Sequence, residues 1–468
     1  MKNMNLRNKK FNKSITSTLM RHFTSYLFCL VWCALTLKVD LAIAATPIQH
    51  WSTQGGPDVY LVSTPNLPML DLQIDFDAGS RRDFTDKTGV SSAVAMMMSK
   101  GFKSSSQMPA MDENQIGEAW ADLGAAFMVS STQDRLSIRL RTLTQADILK
   151  SAINLSAAQI ARPSFDVKVF EREREKSIAS LKESLTQPGS VAGRAFSKAI
   201  YGDHPYGAKL TPESMLQTTV VDLESFYKKY INLCSARISM VGNLNKDQAS
   251  ELVKTLFAEF QKNENCSTLP KIVDVKPLTQ ASEQRIDFES AQAHVLIGQP
   301  AIDRADPDYF PLTVGNYVLG GGGFVSRLTE QVREKRGLSY SVYSYFSPAR
   351  QPGPFTIGLQ TRPDQAEQAV KLSREIVAEF VKNGPTQKEL KAAKDNLIGS
   401  FPLRLDSNKK LLDNLANIAW NNLPLNYLDT WVNEVQKVSV QDVQSAFRKH
   451  IQPEKMVTVI VGGKFETR

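Results

Sequence analysis

Alternating apolar and polar positions mark the strands of the first half. Leu72, Ile74 and Phe76 alternate with polar neighbours, the period-two pattern of a half-buried strand. Leu136, Ile138 and Leu140 repeat it, and together with Phe127 to Ser131 they predict a hairpin. Val59 to Ser63 reads as a further short strand. Helices are predicted over about Thr88 to Ser99, Glu113 to Leu123, Ala146 to Ile160, Phe165 to Leu185 and Val191 to Ile200. A helix from Val220 to Tyr230 and a strand from Arg237 to Val241 close the half.

The plan then recurs. Asp222 to Gly242 aligns without gaps on Asp442 to Gly462 at an offset of 220, with six of 21 positions identical, among them Lys229/Lys449, Ile231/Ile451 and Gly242/Gly462. A repeat this long means two like domains and not a solenoid, whose period is far shorter. Residues 261–280 are polar and contain proline, as a linker does. The expected organisation is a leader over 1–44, a first domain over 45–260, the linker, and a second domain over 281–468. Strand-rich and helix-rich runs within each half predict α+β domains, each a mostly antiparallel sheet with helices on one face.

One stretch of the second half carries candidate chemistry. Gly320, Gly321, Gly322 and Gly323 form a run of four glycines. Phe324, Leu328 and Val332 follow at i, i+4 and i+8, which predicts one apolar helical face. Gly337 sits where that helix would stop, and Leu338 to Tyr345 reads as a strand. The glycines read as a flexible loop. Arg333 near the helix end and Tyr340 at the strand start offer a guanidinium and a phenol, and both can donate to a carbonyl or a developing oxyanion. The same residues also suit plainer roles, a helix-end charge and a sheet tyrosine.

The net charge of +8 raises the question of a polyanion partner. Six of those charges fall in residues 1–44, so the rest of the chain is nearly neutral and no nucleic-acid surface is expected. The leader joins a basic start to an apolar run from Tyr26 to Leu37 and ends on Ala42-Ile43-Ala44, the pattern of a secretory signal peptide. A periplasmic or secreted protein is expected. A retained membrane anchor, giving membrane contact through the leader alone, and a mitochondrial transit peptide are the alternatives. Cys29 and Cys33 lie in the leader; Cys234 and Cys266 are left either to pair or to stay as free thiols. The glycine run lacks the G-K-[ST] of a phosphate loop, so nucleotide binding is not expected.

The run G-G-G-x-x-S-R-L-x-x-x-V-R-E-K-R-G-L-x-Y-S-V resembles the second-domain signature of pitrilysin/insulinase-type metallopeptidases, the inverted zincins. The resemblance spans roughly residues 47–465. It implies two domains facing each other like a clamshell around a chamber. It also implies that Arg333 and Tyr340 bind the substrate peptide and polarise the scissile carbonyl, with Gly320 to Gly323 touching the peptide.

Active relatives read G-x-x-H-x-x-E-H-x-x-x-K-G in the first domain, where two histidines at i and i+4 clamp zinc and the glutamate deprotonates a bound water. Gly89 to Gly101 reads GVSSAVAMMMSKG, with the flanking Gly89, Lys100 and Gly101 in register. Ser92 and Met96 stand at the histidines and Ala95 at the glutamate base. Glu173 matches an earlier family glutamate, and Ser180 falls at the position of the third ligand. The five histidines, His22, His50, His204, His294 and His450, are too scattered to replace them; His204 reads as a structural landmark, a packed or surface histidine and not a ligand. The expectation is a chain with no metal of its own that binds peptide as one subunit of a heterodimer, with zinc on a sister chain carrying H-x-x-E-H. The alternative is a non-enzymatic scaffold or peptide-binding protein of the same fold.

Overall fold

The computed structural model describes residues 47–52, 56–260 and 269–464. The leader, the first part of the linker and Cys266 lie outside the described residues.

The first half runs β1 (Gln49–Ser52), β2 (Asp58–Ser63), β3 (Met69–Phe76), α1 (Val90–Met97), β4 (Gly101–Phe102), β5 (Met111–Asp112) and α2 (Glu113–Asp122). The hairpin β6 (Ala126–Ser131) and β7 (Leu136–Leu143) follows, then α3 (Ala146–Ala161), α4 (Val167–Ser184), α5 (Pro188–Tyr201), α6 (Pro212–Gln217), α7 (Val220–Tyr230), β8 (Arg237–Gly242) and α8 (Lys246–Leu256). The second half runs β9 (Ser282–Ile286), β10 (Ala293–Ile302), α9 (Tyr309–Asn316), β11 (Ser341–Phe346), β12 (Gly353–Thr361), α10 (Ala366–Asn383), α11 (Gln387–Ser400), α12 (Asn408–Trp420), α13 (Tyr427–Lys437), α14 (Val440–His450) and β13 (Val457–Val461). The predicted strands and helices of the first half are all present, with ends shifted by a few residues, and β1, β4, β5, α6 and α8 are added.

The sheets match strand for strand. One has the order β1-β2-β8-β3-β7-β6, the other β11-β12-β10-β13-β9. Each is antiparallel except for one parallel pair, β2 with β8 and β13 with β9. Beyond the extra β1, the second order is the first one reversed, so β11 is the counterpart of the edge strand β6. The offset of 220 persists in the caps. Thr219 and Asp222 form the capping box of α7, and Ser439 and Asp442 form that of α14. Each box satisfies N–H groups that a helix start leaves unpaired.

One face of each sheet is covered by helices of its own half, forming the two large cores. The other face receives a helix from the opposite half. Ala192, Phe196 and Ile200 of α5 pack on Val457, Val459 and Val461 of β13. Leu412, Leu415 and Ala419 of α12 pack on Tyr60, Val62 and Val241 of β2 and β8. The sequence predicted α5 as a helix but gave no sign that its apolar face serves the far sheet. Polar clamps reinforce the exchange. The Tyr206 hydroxyl donates to Asp134 at 2.5 Å, and Asp134 also accepts from the Arg350 backbone N–H at 2.9 Å.

Cys234 is disulfide-bonded. Among the described residues, no helix is long and apolar enough to cross a membrane.

Candidate functional site

The second-half signature does not fold as one regular helix. Tyr317–Gly321 is a π turn continuing α9, Gly323–Val325 is a 3-10 turn, and the helix proper forms only at Arg327, widening to π geometry over Thr329–Glu334. Leu328 and Val332 are fully buried, as expected. Phe324 corrects the expectation: it lies in the 3-10 turn, 68% exposed, and shares no buried face with them. Ser326 has extended backbone, which breaks the helical register between Phe324 and Leu328.

Gly337 ends the helix at φ 60°, and the Leu338 N–H returns to the Val332 carbonyl at 2.9 Å. A residue in the left-handed region is what such a stop requires. Beyond it, the Ser339 hydroxyl donates to Gln360 O at 2.7 Å and the Thr361 hydroxyl to Leu338 O at 2.5 Å. These bonds fix the chain just before Tyr340 to β12, the pairing of Ser341 with Gln360 fixes it just after, and the phenol is left outward, 76% exposed.

The glycines serve close approach more than flexibility. A Cβ on Gly320 would stand 2.3 Å from Ser344 Oγ and 2.5 Å from the Ser344 backbone nitrogen. Asn316 locks the same contact: its Nδ2 donates to Ser344 O at 3.0 Å, and its Oδ1 accepts from the Ser344 hydroxyl at 2.7 Å. Thr329 ties the helix to β11 through Val342 O at 3.3 Å. π turns recur at functional sites; here one holds Gly320 and Gly321 and a second follows the glycine run at Thr329–Glu334.

Arg333 and Tyr340 come together. The guanidinium carbon lies 5.3 Å from the Tyr340 ring centre and 4.8 Å from that of Phe324. Among the described residues its ion-pair partner is Glu334, at 3.3 Å and half exposed. A pocket of about 520 Å³ opens beside it, walled by Gly320, Gly321, Gly323, Phe324, Arg333 and Tyr343 among others. Gly322 and Tyr340 are not on that wall. Tyr343 and Tyr345 stack at 5.9 Å and stand exposed on β11. The arrangement offers cationic and phenolic donors, an aromatic rim and a sheet edge, which suits an extended peptide. Phe324 as a partner of Arg333 was not readable in advance, because the apolar spacing assigned it to the core.

In the first half, α1 starts at Gly89, whose φ is 109°. The Asp83 carboxylate accepts from the Gly89 and Ser91 N–H groups at 2.7 and 2.8 Å. Burial pushes Asp83 up to about 6 against the lowering effect of those bonds. Met97 and Met98 are fully buried and Ala95 is 3% exposed, all in the core. Ser92 and Met96 instead line a pocket of about 210 Å³ with Phe170, Arg174, Ser177 and Leu210. From α4 it is Phe170, Arg174 and Ser177 that face this pocket; Ser180 is exposed and does not line it. Glu173 is engaged elsewhere. Burial raises it, but hydrogen bonds from Lys176 and Arg172 and the charge of Lys100 outweigh that and hold it at about 2. None of Ser92, Ala95, Met96 and Ser180 can supply a zinc ligand set with a carboxylate base.

His204 is packed. Its Nε2 bonds Val273 O at 2.9 Å and its Nδ1 accepts from the Tyr206 N–H at 3.1 Å. Elsewhere, Asp306, Asp308 and His450 bring ligand atoms within 4.8 Å of one another. There Lys449 already supplies a cation, 2.7 Å from Asp308.

Two family descriptions match the chain: Insulinase (Peptidase family M16) over residues 58–213 and Peptidase M16 inactive domain over residues 218–397. Among solved structures, a peptidase M16 inactive domain from Pseudomonas fluorescens is similar at TM-score 0.84 and 34% identity, covering 90% of this chain and 99% of its own. A Helicobacter pylori protease shares the fold at TM-score 0.81 and 18% identity, covering 89% of this chain and 100% of its own. Among curated proteins, the non-peptidase homolog YmxG of Helicobacter pylori is 27% identical over 437 residues, 92% of this chain and 98% of that protein. The uncharacterized zinc protease YmxG of Bacillus subtilis is 26% identical over 408 residues, 86% of this chain and 95% of that protein.

Proposed function

We propose a function from one premise, that this chain belongs to the insulinase-type M16 peptidase family: it is the zinc-free, substrate-binding subunit of a heteromeric metallopeptidase acting on peptides outside the cytoplasm. The observation that carries the reading is an asymmetry between two sites. Arg333, partly exposed, and Tyr340, fully outward, stand together beside a pocket. The positions that would hold zinc and the base are Ser92, Met96 and Ala95.

In this reading the partner chain carries H-x-x-E-H, binds Zn²⁺ and supplies the base. When bound there, zinc activates the attacking water. This chain binds the peptide along β11 and the glycine turns. Arg333 and Tyr340 donate to the scissile carbonyl as its oxygen gains charge, which is where a donor lowers the barrier most. The basic, apolar leader supports export, and the bonded Cys234 fits an oxidising compartment.

The test is cleavage of a quenched peptide mixture by the purified chain, alone and with an H-x-x-E-H sister chain, with bound zinc measured in both. Silence alone and activity together, at about one zinc per pair, is the expected result. Replacing both Arg333→Ala and Tyr340→Phe is expected to cost ~10²-fold or more in turnover. Full activity of that double variant would sink the reading. Silence in every mixture would favour a scaffold or peptide-binding role, the reading nearest to the Helicobacter relative's description as a non-peptidase homolog.

A further inference from the structure

The pocket that replaces the zinc site is built for something other than a metal. Its walls are largely apolar, with Met96, Phe170, Leu210 and Met215 prominent. One cation faces it. Arg174 lies with its guanidinium carbon 5.4 Å from the Phe170 ring, and its one hydrogen bond among the described residues is Nη1 to Thr218 O at 3.3 Å. Its Nε is buried and has no hydrogen-bond partner, and among the described residues no carboxylate pairs with it. A second cation, which pairs with no carboxylate among the described residues, backs the Leu210 wall: Arg194 Nη2 donates to Leu210 O at 2.6 Å. Such a site has a strong anion-binding element and an apolar cup. At about 210 Å³ the cup is smaller than the ~300–1,000 Å³ of drug-sized sites, so it takes one residue-sized group.

We infer that this pocket binds the C-terminal residue of a peptide, its apolar side chain in the cup and its carboxylate on Arg174. The charge complementarity selects a carboxylate, because a buried guanidinium nitrogen without an acceptor is satisfied best by a forked anion. The apolar lining selects leucine- or phenylalanine-like termini over polar ones. The inference goes beyond the split-site reading and needs neither partner chain nor turnover, so either can fail while the other stands.

The probe is a fluorescein-labelled hexapeptide ending in leucine with a free carboxylate, read by anisotropy against the purified full chain. Its C-terminal amide and a version ending in serine are the comparisons. The free acid is expected to bind at least about tenfold tighter than the amide, the effect of one charge-assisted hydrogen-bonded pair. The serine version should bind about tenfold more weakly than the leucine one. Arg174→Met should bring acid and amide to the same affinity, and Arg174→Lys should restore part of the preference. Ser177→Phe, at a half-buried helix position outside the core, fills the cup and should abolish binding with the thermal transition unchanged. Equal affinity for acid and amide, a preference surviving in Arg174→Met, or no binding of any probe would each overturn the inference.

Discussion

The Arg333 guanidinium carbon stands 5.3 Å from the ring centre of Tyr340 and 4.8 Å from that of Phe324. The two rings are held on opposite sides in sequence, one in a 3-10 turn before the helix and one after its glycine stop. Exposed cation–π contacts are worth about 0.5–1 kcal/mol. Phe324→Ala should therefore lower kcat/KM of the reconstituted pair about two- to fivefold by loosening Arg333, while the melting temperature moves by less than about 2 °C. A variant as active as the parent would show that Phe324 does not orient the guanidinium.

Gly320 is where the signature tolerates least. An added methyl would meet Ser344 Oγ at 2.3 Å and the Ser344 backbone at 2.5 Å. Backbone cannot move aside as a side chain can, so Gly320→Ala should destabilise by about 1–3 kcal/mol or more and detach β11 from the π turn. Gly323 has open space around its Cβ but φ 61°, so Gly323→Ala should cost only about 1–2 kcal/mol. Denaturant midpoints of the two variants would rank them; the reverse order would refute the steric account.

Rebuilding the zinc motif should fail. Ser92→His, Ala95→Glu and Met96→His together restore the helix pattern, but α4 still turns Arg174 and Ser177 toward the pocket and Glu173 stays in its cage of Lys100, Arg172 and Lys176. The expected zinc content after dialysis is well below one per chain, because a third anionic ligand is missing and a cation takes its place. Stoichiometric zinc in that triple variant would mean α4 can re-register.

Two carboxylates give stability opposite pH dependences. Hydrogen bonds from Arg327, and then from Thr386, hold Glu389 at about 2, below its ordinary 4.5. Its contribution is present above about 4.5 and is lost as pH falls toward 2. Asp83 is raised by burial from 3.8 to about 6. Between those values the folded state binds more proton than the unfolded one, so its contribution falls as pH rises from about 4 to 6. Urea midpoints of the parent and Asp83→Asn across that interval should converge or cross in the variant's favour as pH rises. A widening gap in the parent's favour would contradict the assignment.

Local features of the fold were legible because they follow from neighbours in sequence. The strands at Leu72–Phe76 and Leu136–Leu140, the stop at Gly337 and the 220-residue offset all survive in the structure, but the strand at Leu72–Phe76 is not half-buried as expected: Gln73 and Asp75 are buried too, because the far half covers that face of the sheet. What was not legible depends on distant partners. Phe196 and Leu415 look like ordinary core residues of their own helices, yet each packs on the other half's sheet. Nothing within residues 318–328 announces the π and 3-10 turns that expose Phe324, and the first π turn is also tied to β11 by Asn316 and Ser344, 28 residues apart. In the first site, sequence spacing pointed to Ser180, whereas the packing of α4 presents Arg174 and Ser177, one of which has no counterpart in a zinc-ligand reading.

The exchanged helices also set an order of events during synthesis. The face of β2 and β8 carrying Tyr60, Val62 and Val241 is complete once residue 242 has left the ribosome, but the helix that covers it begins only at Asn408. At ~5–20 residues per second, that apolar surface waits on the order of ten to thirty seconds for its cover. Until then the nascent first half presents an apolar sheet face open to wrong contacts, which ties the yield of folded chain to translation speed through residues 243–408.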